Sequence, residues 1–274
     1  MTTEVLNNES KEMINLKSGE VAWKSPSNIA LVKYWGKYGV QLPCNPSISF
    51  TLNNSCTTTS IQFAPKKGNE FDVRFELSGT REEKFEVKIK KYLQSISNEV
   101  TFIPAFDFVI QSSNSFPHST GIASSASGMS AIALCLCSIE KDLGLAHLSD
   151  EEFYQKASHL ARLGSGSACR SVYGGMVSWG ETKDLSGASN LYGTPFTENL
   201  HPIFSSYQDT VLIVDEQEKK VSSRIGHGLM ESNPFSEQRF IQANENLAKP
   251  LSDTAIEKQL KEKGIKVARR TIAK

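Results

Sequence analysis

Between residues 115 and 143 the chain reads as a strand-to-helix junction built almost entirely from small residues, and that junction limits the folds open to it. A β-branched and aromatic run at 106–111 leads into Ser-Phe-Pro-His-Ser-Thr-Gly-Ile-Ala-Ser-Ser-Ala-Ser-Gly, which ends at Gly128. From there an apolar helical pattern continues over 127–143. Small side chains let a backbone approach an anion closely, and the free N–H groups and dipole of a first helical turn favour phosphate. Gly121 and Gly128 permit tight turning, while Ser119, Thr120, Ser124, Ser125 and Ser127 can add hydroxyl donors. The Gly-Lys-[Ser/Thr] ending of a Walker A loop is absent. From these residues alone, a helix start packed closely on a neighbour is an equal reading.

The remainder of the chain predicts a mixed α and β body. Strands are expected at 29–34, 48–52, 57–63, 72–77, 174–179 and 210–214, separated by turn residues such as Pro65 to Gly68 and Ser78-Gly79. Helices are expected at 82–97 and 150–163, the latter with Ser149 as N-cap and Asp150, Glu151 and Glu152 in its first turn. The 274 residues, 39% apolar and 22% charged, can bury a sizeable core and are not compositionally disordered. Thirty basic residues balance thirty acidic ones, which excludes a globally polybasic nucleic-acid binder. No apolar run reaches the length of about 18 residues that a membrane span needs, and the polar, acidic N-terminus lacks a secretory stretch. Five scattered cysteines without a CxxC pair predict neither a disulfide framework nor a zinc site, and a cytoplasmic setting is expected.

Two further stretches carry chemistry. Around Asn28, Lys33, Tyr34, Trp35 and Lys37, polar and aromatic groups crowd a strand end that turns at Gly36. An amphipathic edge is the plain alternative. In Arg162-Leu-Gly-Ser-Gly-Ser-Ala-Cys-Arg170-Ser171, alternating glycine and serine precede an arginine suited to bidentate contact with a phosphate or carboxylate. The plain alternative there is a Gly/Ser loop with a surface arginine.

Taken in order, Asn-Ile-Ala-x-x-Lys-Tyr-Trp-Gly-Lys, Gly-x-Ala-Ser-Ser-Ala-Ser-Gly and Gly-Ser-Gly-Ser-Ala-Cys-Arg-Ser closely resemble the mevalonate diphosphate decarboxylase family of the GHMP kinase superfamily, over residues 21–248. The resemblance implies an α+β fold, with a ribosomal protein S5 domain 2-like N-terminal domain and a truncated ferredoxin-like second domain. It implies ATP and Mg²⁺, used to phosphorylate the tertiary hydroxyl of mevalonate 5-diphosphate; loss of that phosphate with CO₂ then yields isopentenyl diphosphate. Ser119, Gly121, Ser124, Ser125, Ser127 and Gly128 would hold the ATP phosphates. Lys33, Tyr34, Trp35, Ser165, Gly166 and Ser167 would hold the substrate. Arg170 would grip its carboxylate, and Asn28 would orient Arg170. Ser222 and Ser223, in a stretch similar to the family's Thr-Ser-Ser-Thr-x-Gly-Met, would lie near the reacting hydroxyl. No metal ligand is assigned. His118, and Arg224 to His227, depart from the family pattern, and a solvent-facing His118 is expected.

The resemblance fades after 248, without the family's late Asp-Ala-Gly-like segment. A chain lacking that aspartate is expected to bind phosphate ligands better than it turns them over. Residues 249–274 carry eight basic and three acidic residues, a charge of +5 against −5 for the rest. With Ser252 as N-cap, Gly264 as helix stop and Ala-Arg-Arg-Thr-Ile-Ala-Lys as its ending, this tail reads as a helix–turn–helix and resembles the DNA-binding box of sigma-54 factors. The expected organisation is a disordered arm at 1–20, a GHMP domain at 21–190, the start of a second domain at 191–248, and a tail from an unrelated coding sequence. Competing readings are a sibling GHMP small-molecule kinase, a mevalonate-phosphate decarboxylase and, more distantly, a DNA-binding regulator. The expected partner is a small molecule. A homodimer is compatible with this reading, no membrane is involved, and nucleic acid is disfavoured despite the basic tail.

Overall fold

The computed structural model describes residues 17–117, 122–197, 200–210, 229, 232–247, 258 and 261–262. Its elements are β1 (Gly19–Val32), β2 (Lys37–Tyr38), β3 (Leu42–Pro43), β4 (Ser47–Pro65), β5 (Val73–Leu77), β6 (Thr80–Arg81), α1 (Glu83–Ile96), β7 (Phe106–Asn114), α2 (Ser124–Asp142), α3 (Asp150–Gly164), β8 (Met176–Trp179), β9 (Thr194–Pro195) and α4 (Ser236–Leu247). Short 3-10 turns occupy Ile103–Ala105, Gly166–Val172 and Pro202–Ser206.

β4 organises a seven-stranded mixed sheet of order β6-β5-β7-β4-β8-β9, with β1 antiparallel along β4. Its first residues pair with β8, Ser47 opposite Trp179, and its last nine pair with β7. Along its second half, Thr57, Thr59, Ile61 and Phe63 point inward while Thr58 and Gln62 stay exposed, the two-residue period of a half-buried sheet. β5 and β7 are parallel and joined through α1; every other pair is antiparallel. α2 crosses β1 and β4, α1 packs on β5, and α3 packs against both helices, closing a core around Ile61, Leu93, Ile96, Phe102, Phe108, Ile110 and Leu136. α1 contributes Ile89, Tyr92, Leu93 and Ile96, a helical stripe of period 3.6. α2 is buried nearly all round, and its small residues let it lie close to the sheet.

Three expectations change. The strands predicted at 48–52 and 57–63 are one strand, because Asn53-Asn54-Ser55 bulges out instead of turning: Pro26 pairs with Cys56 and the next residue, Ser27, pairs with Leu52. The strand predicted at 29–34 extends back to Gly19 and stops at Val32, so Lys33 and Tyr34 belong to the loop beyond it. α2 starts three residues earlier than its apolar period, at Ser124. Of the strand expected at 210–214, only Thr210 falls among the described residues, and the tail beyond 247 is described only at 258 and 261–262.

α3 begins where its caps predict. The Ser149 hydroxyl accepts the Glu152 N–H, and the Glu152 carboxylate accepts the Ser149 N–H. The Ser149 N–H and hydroxyl, both donating to it, hold the Glu152 carboxyl below its ordinary range. Replacing Ser149 with alanine is expected to lower stability by about 1 kcal/mol, read as a shift in denaturant midpoint at constant slope.

Candidate functional site

The site grows from a row of polar residues on β1 that face inward. Ser25, Ser27 and Asn28 are buried, and a buried hydroxyl or amide needs partners. The Ser25 hydroxyl donates to the Ser171 carbonyl at 2.8 Å and meets the Ser130 hydroxyl of α2 at 2.7 Å. Ser27 donates to the carbonyl of Ile122, just before α2. Asn28 donates to the Ser171 hydroxyl at 2.7 Å and to the Ser167 carbonyl at 3.2 Å. One strand therefore ties the start of α2 to the 166–172 turn through neighbouring residues.

Arg170 sits at the centre of that turn and is 2% exposed. Its Nε and Nη2 donate to the single oxygen Oδ1 of Asn28, at 3.4 and 3.3 Å, and its Nη1 donates to Ser47. Ser47 in turn donates to the Trp179 carbonyl at 3.2 Å. The guanidinium lies 5.7 Å from the Tyr34 ring and 5.8 Å from the Trp179 ring, and the two rings meet edge-on at 5.0 Å. Among the described residues no carboxylate pairs with it. Burial pulls the guanidinium pKa down, and burial raises the Tyr34 phenol against the opposing pull of Arg170. A buried cation without a counter-ion is poised to take an anion. Arg162 shows the contrast. Its Nε donates to the Leu191 carbonyl at 2.7 Å, its Nη1 to Val40, and its Nη2 lies 3.4 Å from His159, which bonds Glu99, so this guanidinium is held as structure.

Of the other substrate candidates, Tyr34 lies beside Arg170, and Ser167 and Gly166 adjoin it through Tyr34, Asn28 and Trp179. Ser167 hydrogen-bonds Tyr34, and Gly166 lies so close to Trp179 that a Cβ there would stand 2.7 Å from the ring. Ser165 ends α3, with its N–H on Ala161. Lys33 is exposed at the mouth of the loop, and Trp35 is 37% exposed. At the phosphate-loop candidate, Ala123 takes a left-handed backbone, φ 53°, immediately before α2. Such strain in a non-glycine residue costs about 1–3 kcal/mol and gathers at ligand loops. Ser125 is exposed and Ser124 and Gly128 are half-buried, whereas the Ser127 hydroxyl is buried against Thr57 of β4 at 2.6 Å and braces the helix on the sheet. His118, Ser119, Gly121, Ser222 and Ser223 lie outside the described residues. Ser47 and Trp179 carry no signal in the sequence, since only β4–β8 pairing brings them to Arg170, and Ser171, the last residue of the Gly/Ser stretch, is tied in through Asn28.

Burial raises the thiols of Cys135, Cys137 and Cys169 to about 12, and raises that of the half-buried Cys44. Because the thiolate is the reactive form, an aromatic disulfide reagent at pH 8 should modify Cys44 first and slowly, leaving those three until the chain unfolds. Prompt labelling of any of the three in the native protein would contradict their burial.

Fold and site together define a GHMP-type domain built around a buried guanidinium. Residues 25–191 match the diphosphomevalonate decarboxylase-like N-terminal domain, and the chain belongs to that family. Residues 235–274 match the DNA-binding domain of sigma-54. The diphosphomevalonate decarboxylase of Ganoderma lucidum is 30% identical over 232 residues, covering 79% of this chain and 54% of its own. The mevalonate diphosphate decarboxylase structure from Staphylococcus aureus is 31% identical with a TM-score of 0.65, covering 85% of this chain and 66% of that one. A structure of MDDEF in complex with MVAPP, AMPPCP and magnesium is also 31% identical, with a TM-score of 0.63, over 84% and 66%. The chain spans about half the length of the curated relatives it matches.

Proposed function

We propose that this domain holds mevalonate 5-diphosphate and ATP for ATP-dependent phosphorylation and decarboxylation to isopentenyl diphosphate. The observation that carries the reading is Arg170, a buried guanidinium held by Asn28 and Ser47 with no carboxylate of its own among the described residues. In this reading it grips the substrate carboxylate, Asn28 keeps its plane in place, and Tyr34 and Trp179 exclude water around it. Lys33, Tyr34, Trp35 and the 165–167 turn hold the diphosphate. Ser222 and Ser223, outside the described residues, are assigned to the tertiary hydroxyl by the family resemblance.

The start of α2 fits a nucleotide's phosphates. It is a 19-residue helix whose first turn offers backbone N–H groups and the Ser124 and Ser125 hydroxyls, behind the strained Ala123. Ser119, Gly121, Ser127 and Gly128 belong to the same reading, with Ser127 as its brace on β4. Among the described residues no three His, Cys, Asp or Glu side chains gather as a metal cage. A Mg²⁺ ion would bridge to the ligand phosphates and keep several of its waters, as this hard, strongly hydrated ion does in nucleotide sites. Bound ATP supplies the phosphoryl group. The chain's own part is to bind, orient and exclude water, which is most of what phosphoryl transfer asks of a protein.

Calorimetric titration with mevalonate 5-diphosphate and Mg-ATP tests the reading, followed by ATP-dependent CO₂ release. Binding of both ligands supports it. Absence of binding contradicts it, and phosphoryl transfer without CO₂ would point to a sibling kinase. The described helices include none long and apolar enough to cross a membrane, and five free cysteines suit a reducing cytoplasm. The sigma-54-like match at 235–274 favours a second reading, DNA contact through the basic tail; a salt-dependent DNA titration checks it, with a steep fall in affinity as salt rises expected of a phosphate-binding tail.

A further inference from the structure

The loop that carries Lys33 and Tyr34 has two sides, and α4 covers the outer one. Arg239 places its guanidinium 4.1 Å from the centre of the Trp35 ring. The Phe240 ring packs on Gly36 so closely that a Cβ there would stand 2.6 Å from it, with the Cys44 sulfur on the other flank at 3.3 Å. Asn244 Nδ2 reaches the Cys44 carbonyl at 3.5 Å. Ser236, Arg239, Phe240 and Ala243 are half-buried along the helix, one stripe at the i, i+3, i+4, i+7 spacing. Inside the loop, Asn45 accepts the Trp35 N–H at 2.9 Å and donates to the Lys33 carbonyl at 3.1 Å, while the Cys44 N–H bonds the Gly36 carbonyl at 3.0 Å.

We propose that Arg239 and Phe240 are positioning residues for substrate: α4 clamps Trp35 and Gly36 from outside, so that Tyr34 is held inward against Arg170 and Lys33 stays at the mouth of the site. The loop between β1 and β4 has little regular structure of its own, which leaves room for an outer clamp. Its only strand pairing is the two residues of β2 with β3, joined by the Asn45 and Cys44 hydrogen bonds and by Arg162 on Val40, and Gly36 puts no side chain between the loop and the helix over it. A loop pinned before its ligand arrives binds more tightly, since less ordering remains to be done on binding. The first residues of the sigma-54-like match, 235–247, thus serve the decarboxylase-like domain itself. This inference rests on the proposed substrate site for its ligand and on the packing alone for its clamp.

Two measurements on the full chain test it. In amide hydrogen exchange without ligand, Arg239→Ala and Phe240→Ala should raise exchange across 33–45 by about tenfold while leaving α3 unchanged. In calorimetry, the same variants should weaken mevalonate 5-diphosphate binding by about three- to tenfold and ATP binding by less than about twofold. Arg239→Lys, which keeps a cation over Trp35, should recover much of the loss and separates clamping from a general loss of α4. Unchanged exchange over 33–45 overturns the clamp. Raised exchange with unchanged diphosphate affinity overturns its role in positioning. A wild-type chain that binds no diphosphate overturns the functional reading instead, and exchange alone then decides the clamp.

Discussion

Replacing Arg170 with glutamine is expected to weaken mevalonate 5-diphosphate binding by roughly 30- to 4,000-fold, the equivalent of about 2–5 kcal/mol for truncating one side of a buried charge pair. Two effects add in the same direction. The ligand carboxylate loses a bidentate cation in a site where Tyr34, Trp179 and the 166–172 turn keep water out. Asn28 and Ser47 also lose the donors that now hold them in place. Arg170→Lys should fall between wild type and glutamine, because it restores charge without the planar fork that spans Asn28 and Ser47. ATP binding, at the start of α2, should change far less. Equal losses for both ligands, or a loss explained by unfolding in a parallel thermal melt, would remove Arg170 from the role assigned to it.

The second large effect is on stability. Leu136 is fully buried near the middle of α2, the helix whose first turn forms the proposed phosphate site and whose Ser127 and Ser130 dock on β4 and β1. Leu136→Ala should cost about 2–5 kcal/mol through lost burial and the cavity left behind. That is a large share of the roughly 5–15 kcal/mol by which domains are stable, and near 3 kcal/mol it corresponds to a fall of about 10 °C in Tm. Circular dichroism melting and urea denaturation read it directly. A loss under about 1 kcal/mol would mean that the site around α2 collapses without harm, which a core this closely packed does not allow.

Helices were legible where local chemistry sufficed. Ser149 and Glu152 mark the start of α3, and the apolar stripe of α1 follows its period to within a residue or two. The junction into α2 was legible from its small residues, although the helix begins at Ser124, since serine and alanine carry no apolar period to announce it. The part of β1 before Ile29 was not legible. Ser25, Ser27 and Asn28 look like a polar loop because their partners, Ser130, Ile122, Ser167 and Ser171, are about 95 or more residues away in sequence. Asn53-Asn54-Ser55 reads as a turn, and only the unbroken run of β1 beside it makes it a bulge.

The two arginines of the third stretch teach the same lesson at the site. Arg162 and Arg170 flank one Gly/Ser loop and are chemically alike in sequence, yet one is capped by carbonyls of Val40 and Leu191 and the other rests on Asn28 and Ser47, with no carboxylate among the described residues. Which of them can receive an anion is a property of tertiary partners. Family resemblance picks out Arg170 and Asn28; the structure puts the two in contact and adds Ser47 and Trp179 as neighbours of the guanidinium.

The central claim, that Arg170 is built to take a carboxylate, is tested most directly from the ligand side. Affinities of the wild-type chain and of Arg170→Gln should be compared for mevalonate 5-diphosphate and for isopentenyl diphosphate, which keeps the diphosphate but lacks the carboxylate and the tertiary hydroxyl. Wild type should prefer the carboxylate ligand by about tenfold or more, and the glutamine variant should lose most of that preference while binding isopentenyl diphosphate nearly as before. Equal affinity of the wild-type chain for the two ligands, or a preference that survives in Arg170→Gln, would contradict the account.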